Sequence, residues 1–365
     1  PRDNVKYGEA SGLLFFGVLF MKKAAIYGAS GYTGLELTKI LLIHPEVELT
    51  MVTSRRFAGL PLTEVFPALG GLTSLKYQNA TPQEVASVCD IVFLALPHGV
   101  SMDIAPVFFS AGKKVIDLSA DYRLRDVQEY ESWYVAHKSS NLLSDAVYGL
   151  PELYRQEIKK ARLVANPGCY PTSIILGLAP ALNNNFLEVS SIIADSASGV
   201  SGAGREPQTG SLFCEVDGGF KAYKIGKHRH TPEIEQELSA LAGQKFNVTF
   251  TPHLLPVKRG ILSTIYATLK KDLSIEQLHE AYCSFYEGEK FVRVCPIGEY
   301  PNISSVCGSN YCDIGVTIDK RVNRAIIISA VDNLVKGAAG QAVQNMNIMC
   351  GFNEDTGLRG VPLYP

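Results

Sequence analysis

Residues 21–45, MKKAAIYGASGYTGLELTKILLIHP, decide the fold. KKAAIY (22–27) reads as a short strand, GASGYTG (28–34) as a glycine-rich turn, and 35–43 as a helix that Pro45 ends. A strand, a G-x-x-G-x-x-G turn and a helix in that order open a dinucleotide-binding unit. Gly28, Gly31 and Gly34 let the backbone turn tightly. The helix N-terminus offers free N–H groups and a partial positive charge to a pyrophosphate. Ser30, Tyr32 and Thr33 lie in the same turn and join the glycines as candidate cofactor contacts.

Working outward, VELTMV (47–52), DIVFLALP (90–97) and KKVIDLS (113–119) read as further strands, with a helix over SMDIAPVFFSAG that stops at Gly112. Strands alternating with helices predict an α/β fold with a Rossmann-type, doubly wound parallel sheet. NAD sites commonly end the second strand in an acid that bonds the ribose 2′-OH. Here that strand ends in Thr53-Ser54-Arg55-Arg56, with no acid. Ser54 and Arg55 therefore point to a 2′-phosphate and to NADP(H).

After about residue 165 the texture changes. SIIADSA, FNVTFTPHLLPV, GILSTIYATLK and RAIIISAV read as longer strands with few helices between them, which predicts an α+β domain with a mostly antiparallel sheet. The expected division is an N-terminal extension over 1–20, an NADP-binding domain over 21–166 completed by a C-terminal helix at 333–351, and a catalytic, substrate and oligomerisation domain over 167–332. The apolar run SGLLFFGVLF (11–20) is too short to span a bilayer, and Met21 reads as the start of the folded part.

The chain has 365 residues, 46% hydrophobic and 19% charged, with a net charge of −2. That balance argues against a nucleic-acid surface or a polybasic membrane patch. Its eight cysteines are scattered, which predicts free thiols in a reducing cytoplasm. Cys307 and Cys312, in CGSNYC, lack the second pair a zinc site needs, so no metal is expected.

In VANPGCYPTS (164–173), Cys169 opens an apolar helix. A helix N-terminus lowers a thiol pKa, and a thiolate beside a nicotinamide predicts covalent attack on a carbonyl coupled to hydride transfer. KHRHTPEI (227–234) supplies His228 and His230 as acid/base candidates, with Glu233 at a helix start. Read as a strand, that segment puts both rings on one face. Arg123 and Arg205, in turn-rich segments, are candidate clamps for an anionic substrate. The loop GVSGAG (199–204), with Ser201 and Gly202, is suited to line a cofactor.

Taken together, NPGCYPT, SGVSGAGR, HRHTPE, TPHLLPVKRGI, DNLVKGAAGQAVQ and the terminal NEDTGL resemble the N-acetyl-γ-glutamyl-phosphate reductase family, from Met21 to Pro365. The resemblance implies an acyl-phosphate substrate, Cys169 as nucleophile and His230, with His228 second, as acid/base. It also implies Arg123 at the phosphate, Asn333 facing the nicotinamide, and a homodimer or homotetramer. Aspartate-semialdehyde dehydrogenase, a non-catalytic dinucleotide sensor and a hydrolase with a metal on His228 and His230 are the alternative readings.

Overall fold

The computed structural model describes residues 21–364. The extension expected over 1–20 lies outside them. Two seven-stranded sheets organise the chain. The first contains β1 (Lys22–Tyr27), β2 (Val47–Thr53), β3 (Tyr77–Gln78), β4 (Ile91–Leu94), β5 (Lys114–Asp117), β6 (Ala146–Tyr148) and β7 (Leu163–Ala165). Its order is β3-β2-β1-β4-β5-β7-β6, and every pairing is parallel. Ile91, Val92, Phe93 and Leu94 are all fully buried, as expected of a strand covered by helices on both faces.

Strand order reverses between β1 and β4, and in open α/β sheets ligands bind beyond the carboxyl ends of the strands at such a point. The glycine turn leaves β1 there, and the segment carrying His98 leaves β4 there. The helix Tyr32–Leu42 follows the turn.

The second sheet contains β8 (Ile193–Gly199), β9 (Lys221–Ala222), β10 (Thr249–Leu255), β11 (Ile261–Thr268), β12 (Val292–Val294), β13 (Cys312–Asp319) and β14 (Arg324–Val331). Its order is β12-β13-β14-β11-β8-β10-β9, parallel at β12–β13 and β8–β10 and antiparallel elsewhere. The helix Cys169–Asn183 is apolar on all sides and buried from Tyr170 to Leu182. It lies on this sheet, where Ser173 Oγ meets Ser263 Oγ at 2.9 Å and Ser329 Oγ at 3.1 Å, so the buried hydroxyls find partners in one another.

Two expectations differ in detail. The helix read over 333–351 begins as a π turn, Val335–Ala339, and becomes an α-helix only at Gly340–Cys350. Asp332 Oδ1 accepts the N–H groups of Leu334 (2.8 Å) and Val335 (3.1 Å), and the small residues that follow allow the wider turn. The segment around His228 and His230 is a turn leading into the helix Thr231–Ala242, not a strand. The rings come together because His228 Nδ1 accepts the backbone N–H of His230 at 3.1 Å.

Arg259, between β10 and β11, ties the two halves together. Its guanidinium lies 3.1 Å from Glu36 on the glycine-turn helix and 3.0 Å from Asp332. Among the described residues, no helix is long and apolar enough to cross a membrane.

Candidate active site

The glycine turn is tied to the end of β2: Gly28 N–H donates to Thr53 Oγ1 (3.0 Å) and Ala29 N–H to the Thr53 carbonyl (2.9 Å). Gly28 has φ +92°, and a Cβ there would lie 2.7 Å from the Ala95 carbonyl oxygen, so only glycine fits. Gly31 caps the helix with no side-chain hydrogen bond, and a Cβ on it would meet nothing within 4 Å. The first-turn amides therefore face open space, a cradle that fits a pyrophosphate.

That space is a cleft of about 480 Å³. Of the expected cofactor contacts, Gly28, Ser30, Gly31, Tyr32, Thr33, Gly34, Ser201, Gly202 and Asn333 line it. Ser54 and Arg55 do not. Ser54 is buried behind the turn, its Oγ 3.2 Å from Ser30 Oγ, and Arg55 is exposed. Arg205, expected at the substrate, lies at the glycine turn instead. It donates to the Ser30 carbonyl (3.0 Å) and stacks over Phe66, 4.5 Å from the ring centre. Asn333 accepts Gly260 N–H (2.8 Å) and donates to Ser201 Oγ (2.9 Å), so it fixes the 199–204 loop beside the cleft.

Cys169 is the first residue of its helix, with Gly168 as cap and Pro171 in the first turn, where a missing N–H costs nothing. It is half-buried. Two structures hold it. Behind it, the π turn brings Gly337 so close that a Cβ there would lie 2.7 Å from Cys169 Cβ. Before it, Glu233 Oε1 accepts Gly168 N–H and Tyr148 Oη–H, each at 2.8 Å, while Glu233 Oε2 takes Arg123 at 3.2 Å. Glu233 is 1% exposed and both its oxygens are spent inside the protein, so the expectation that it touches substrate is corrected. Arg123 is also buried, donating to the carbonyls of Asn166 (2.7 Å) and Leu118 (2.9 Å). A Cβ at Gly168 would lie 2.6 Å from His230 Nε2 and 2.9 Å from an Arg123 nitrogen, so both groups abut the residue before the cysteine.

A second cavity, also about 480 Å³, lies on the other side of Cys169 and shares His98, Cys169, Gly202 and His230 with the first. Burial pushes the Cys169 thiol up to about 11, against downward pulls from the Tyr170 amide and Arg123. The expected resting thiolate is therefore reversed: desolvation outweighs the helix amides. Burial also holds His230 well below its ordinary value, with His228 and Arg123 adding to the effect. His228 is lowered to about 4 by burial and then by Lys224 and Arg229. The resting site is a neutral thiol beside neutral imidazoles. The imidazoles of His228 and His230 have centres 4.9 Å apart, and the Nδ1 of His230 is buried without a partner.

Sequence reasoning missed Tyr148, Gly337 and His98 as parts of this arrangement. His98 Nδ1 accepts Ala120 N–H at 3.0 Å, and its place after β4, at the sheet's reversal point, was the available signal. Among the described residues no three metal-binding side chains converge.

Residues 23–161 match the semialdehyde dehydrogenase NAD binding domain, and residues 169–333 match the semialdehyde dehydrogenase dimerisation domain. N-acetyl-gamma-glutamyl-phosphate reductase of Desulfotalea psychrophila is 60% identical over 346 residues, 94% of this chain and all of that protein. The proteins of the same name from Pelobacter propionicus and Geobacter sulfurreducens are 58% and 56% identical over the same shares. The chain belongs to the N-acetyl-gamma-glutamyl-phosphate reductase family. Among solved structures, aspartate semialdehyde dehydrogenase II from Vibrio cholerae shares the fold at TM-score 0.70 and 18% identity, over 91% of this chain and 98% of that one. The aspartate semialdehyde dehydrogenase from Candida albicans, solved with NADP, aligns at TM-score 0.68 and 18% identity, over 90% of this chain and 98% of that one.

Proposed function

We infer that the chain catalyses the NADPH-dependent reduction of N-acetyl-L-glutamyl 5-phosphate to N-acetyl-L-glutamate 5-semialdehyde and phosphate, a step of arginine biosynthesis, through a thioester on Cys169. The observation that carries this reading is the position of Cys169 as a wall shared by the glycine-turn cleft and the histidine-lined cavity.

The glycine-turn amides, Ser201 and Gly202 hold the coenzyme, with Arg205 at the turn as the cation for its 2′-phosphate. Bound NADPH supplies the hydride that takes the thioester carbon to the aldehyde level. His230 accepts the thiol proton as sulfur attacks the acyl phosphate, and passes it to the departing phosphate. After reduction the C–S bond breaks, the carbonyl re-forms, and the thiolate released takes up one proton from solvent, relayed by His230. His228 holds His230 in place through the backbone bond described above, Arg123 provides positive charge beside the reacting centre, and the first amides of the Cys169 helix face the developing oxyanion.

In this reading residues 21–166 with the last helix form the coenzyme domain and 167–332 the catalytic and oligomerisation domain. The protein works in the cytoplasm as a homodimer or homotetramer, which light scattering on the purified chain checks.

The deciding assay runs in reverse. N-acetylglutamate 5-semialdehyde, phosphate and NADP+ should yield NADPH, and Cys169→Ser should lose at least about 1,000-fold in turnover, as losing a covalent nucleophile does. Turnover of aspartate semialdehyde alone, or full activity in Cys169→Ser, would overturn the reading.

A further inference from the structure

Among the described residues, three besides glycine have positive φ: Asn185, Asn323 and Lys224. Asparagine tolerates that region; lysine gains nothing from it and pays a Cβ penalty. Lys224 holds φ +47° at the start of a turn closed by Lys227 N–H on its carbonyl at 2.9 Å. Strain kept where a glycine or asparagine would relieve it points to use of the side chain.

Lys224 lines the histidine cavity but not the coenzyme cleft, whereas Arg123 lines the cleft but not the cavity. No acidic residue lines that cavity, and among the described residues no carboxylate pairs with Lys224. Two other cations line the cavity: Arg229 is stacked over Tyr134 at 5.5 Å, and Lys221 is exposed on β9 and is not among the charges that act on His228 and His230. Lys224, exposed at the rim, shares that cavity with His98, His228 and His230, and its charge adds to the burial that keeps all three low.

We propose that Lys224 is the specificity-determining cation for the α-carboxylate of the substrate, holding the acyl chain in the cavity while its far end reaches Cys169. This rests on the function proposed above.

Lys224→Asn tests it, because asparagine keeps the positive-φ turn and removes only the charge; Lys224→Gly is the second variant. In the reverse assay, KM for N-acetylglutamate 5-semialdehyde should rise about 10- to 100-fold, the range for losing a hydrogen bond to a charged group. KM for phosphate and for NADP+ should stay put, Lys224→Arg should recover most of the loss, and the melting temperature should not fall. On 4-acetamidobutanal, the same aldehyde chain without the carboxylate, Lys224→Asn and the unaltered chain should perform alike. An unchanged KM for the semialdehyde, or a rise in the phosphate KM in its place, overturns the assignment while the functional reading stands. An unaltered chain inactive on the semialdehyde overturns both.

Discussion

Cys169 and His230 rest uncharged, and each has a reason. Burial disfavours the thiolate and the imidazolium alike, and Arg123 and His228 push His230 further toward neutrality. A thiol held near 11 carries little thiolate at neutral pH, so its reactivity toward an alkylating agent should still climb about tenfold per pH unit between pH 7 and 9. Peptide-resolved mass spectrometry after iodoacetamide pulses would show this, with the exposed Cys214 as internal comparison. A plateau already reached by pH 8 would contradict it.

Glu233 governs the same atom from behind. Its charge raises the thiol, and it balances the buried Arg123. Glu233→Gln leaves that guanidinium unpaired inside the protein, so stability should fall by about 3 kcal/mol, as for one partner removed from a buried ion pair. Urea unfolding measures the loss. In the fraction that stays folded, Cys169 should alkylate faster at a given pH.

At the scale of elements, the nucleophile's helix is wedged between the second sheet and the π turn. Gly337→Ala puts a methyl group 2.7 Å from Cys169 Cβ, a distance that forces the helix start or the turn to move. Displacing a reacting atom by an ångström costs on the order of 100-fold in turnover, so Gly337→Ala should fall by about that factor. Near-normal kcat would show that the turn yields easily. Whole elements were legible where the signal is local. The glycine turn gave the β1–helix unit, and Asn-Pro-Gly before an apolar run gave the start of the Cys169 helix. Gly337 was not legible as the cysteine's neighbour, because nothing local distinguishes it from the alanines around it. Nor was the turn at His228 and His230: alternating histidines suit a strand as well as a turn, and the hydrogen bond that decides it joins a ring to a backbone amide.

Across the whole molecule, the site joins groups far apart in sequence. Glu233 reaches Tyr148 and Gly168, Asn333 reaches Ser201 and Gly260, and Arg259 links Glu36 to Asp332. Such partners follow from how the two sheets meet, which is why the sequence assigned Glu233 and Arg205 to substrate while the fold puts one under the Cys169 loop and the other over the glycine turn. Global stability should report the buried histidines as well. His228 takes a proton near pH 4 when folded, against about 6.5 in an unfolded chain, so below 6.5 the unfolded state binds more protons and folding weakens as pH falls toward 4. His228→Asn should therefore flatten the acid limb by about 1.4 kcal/mol per pH unit between 6.5 and 4. Chemical denaturation across that range measures the slope, and an unaltered slope would mean the ring is solvated.

The contact of Gly337 with Cys169 also bears on how the enzyme is made. The sulfur leaves the ribosome long before the glycine that backs it, so a chain cut short anywhere between Cys169 and Gly337 carries the thiol without its seat. Prematurely terminated products of this gene would then be inert toward the aldehyde even where both sheets had formed.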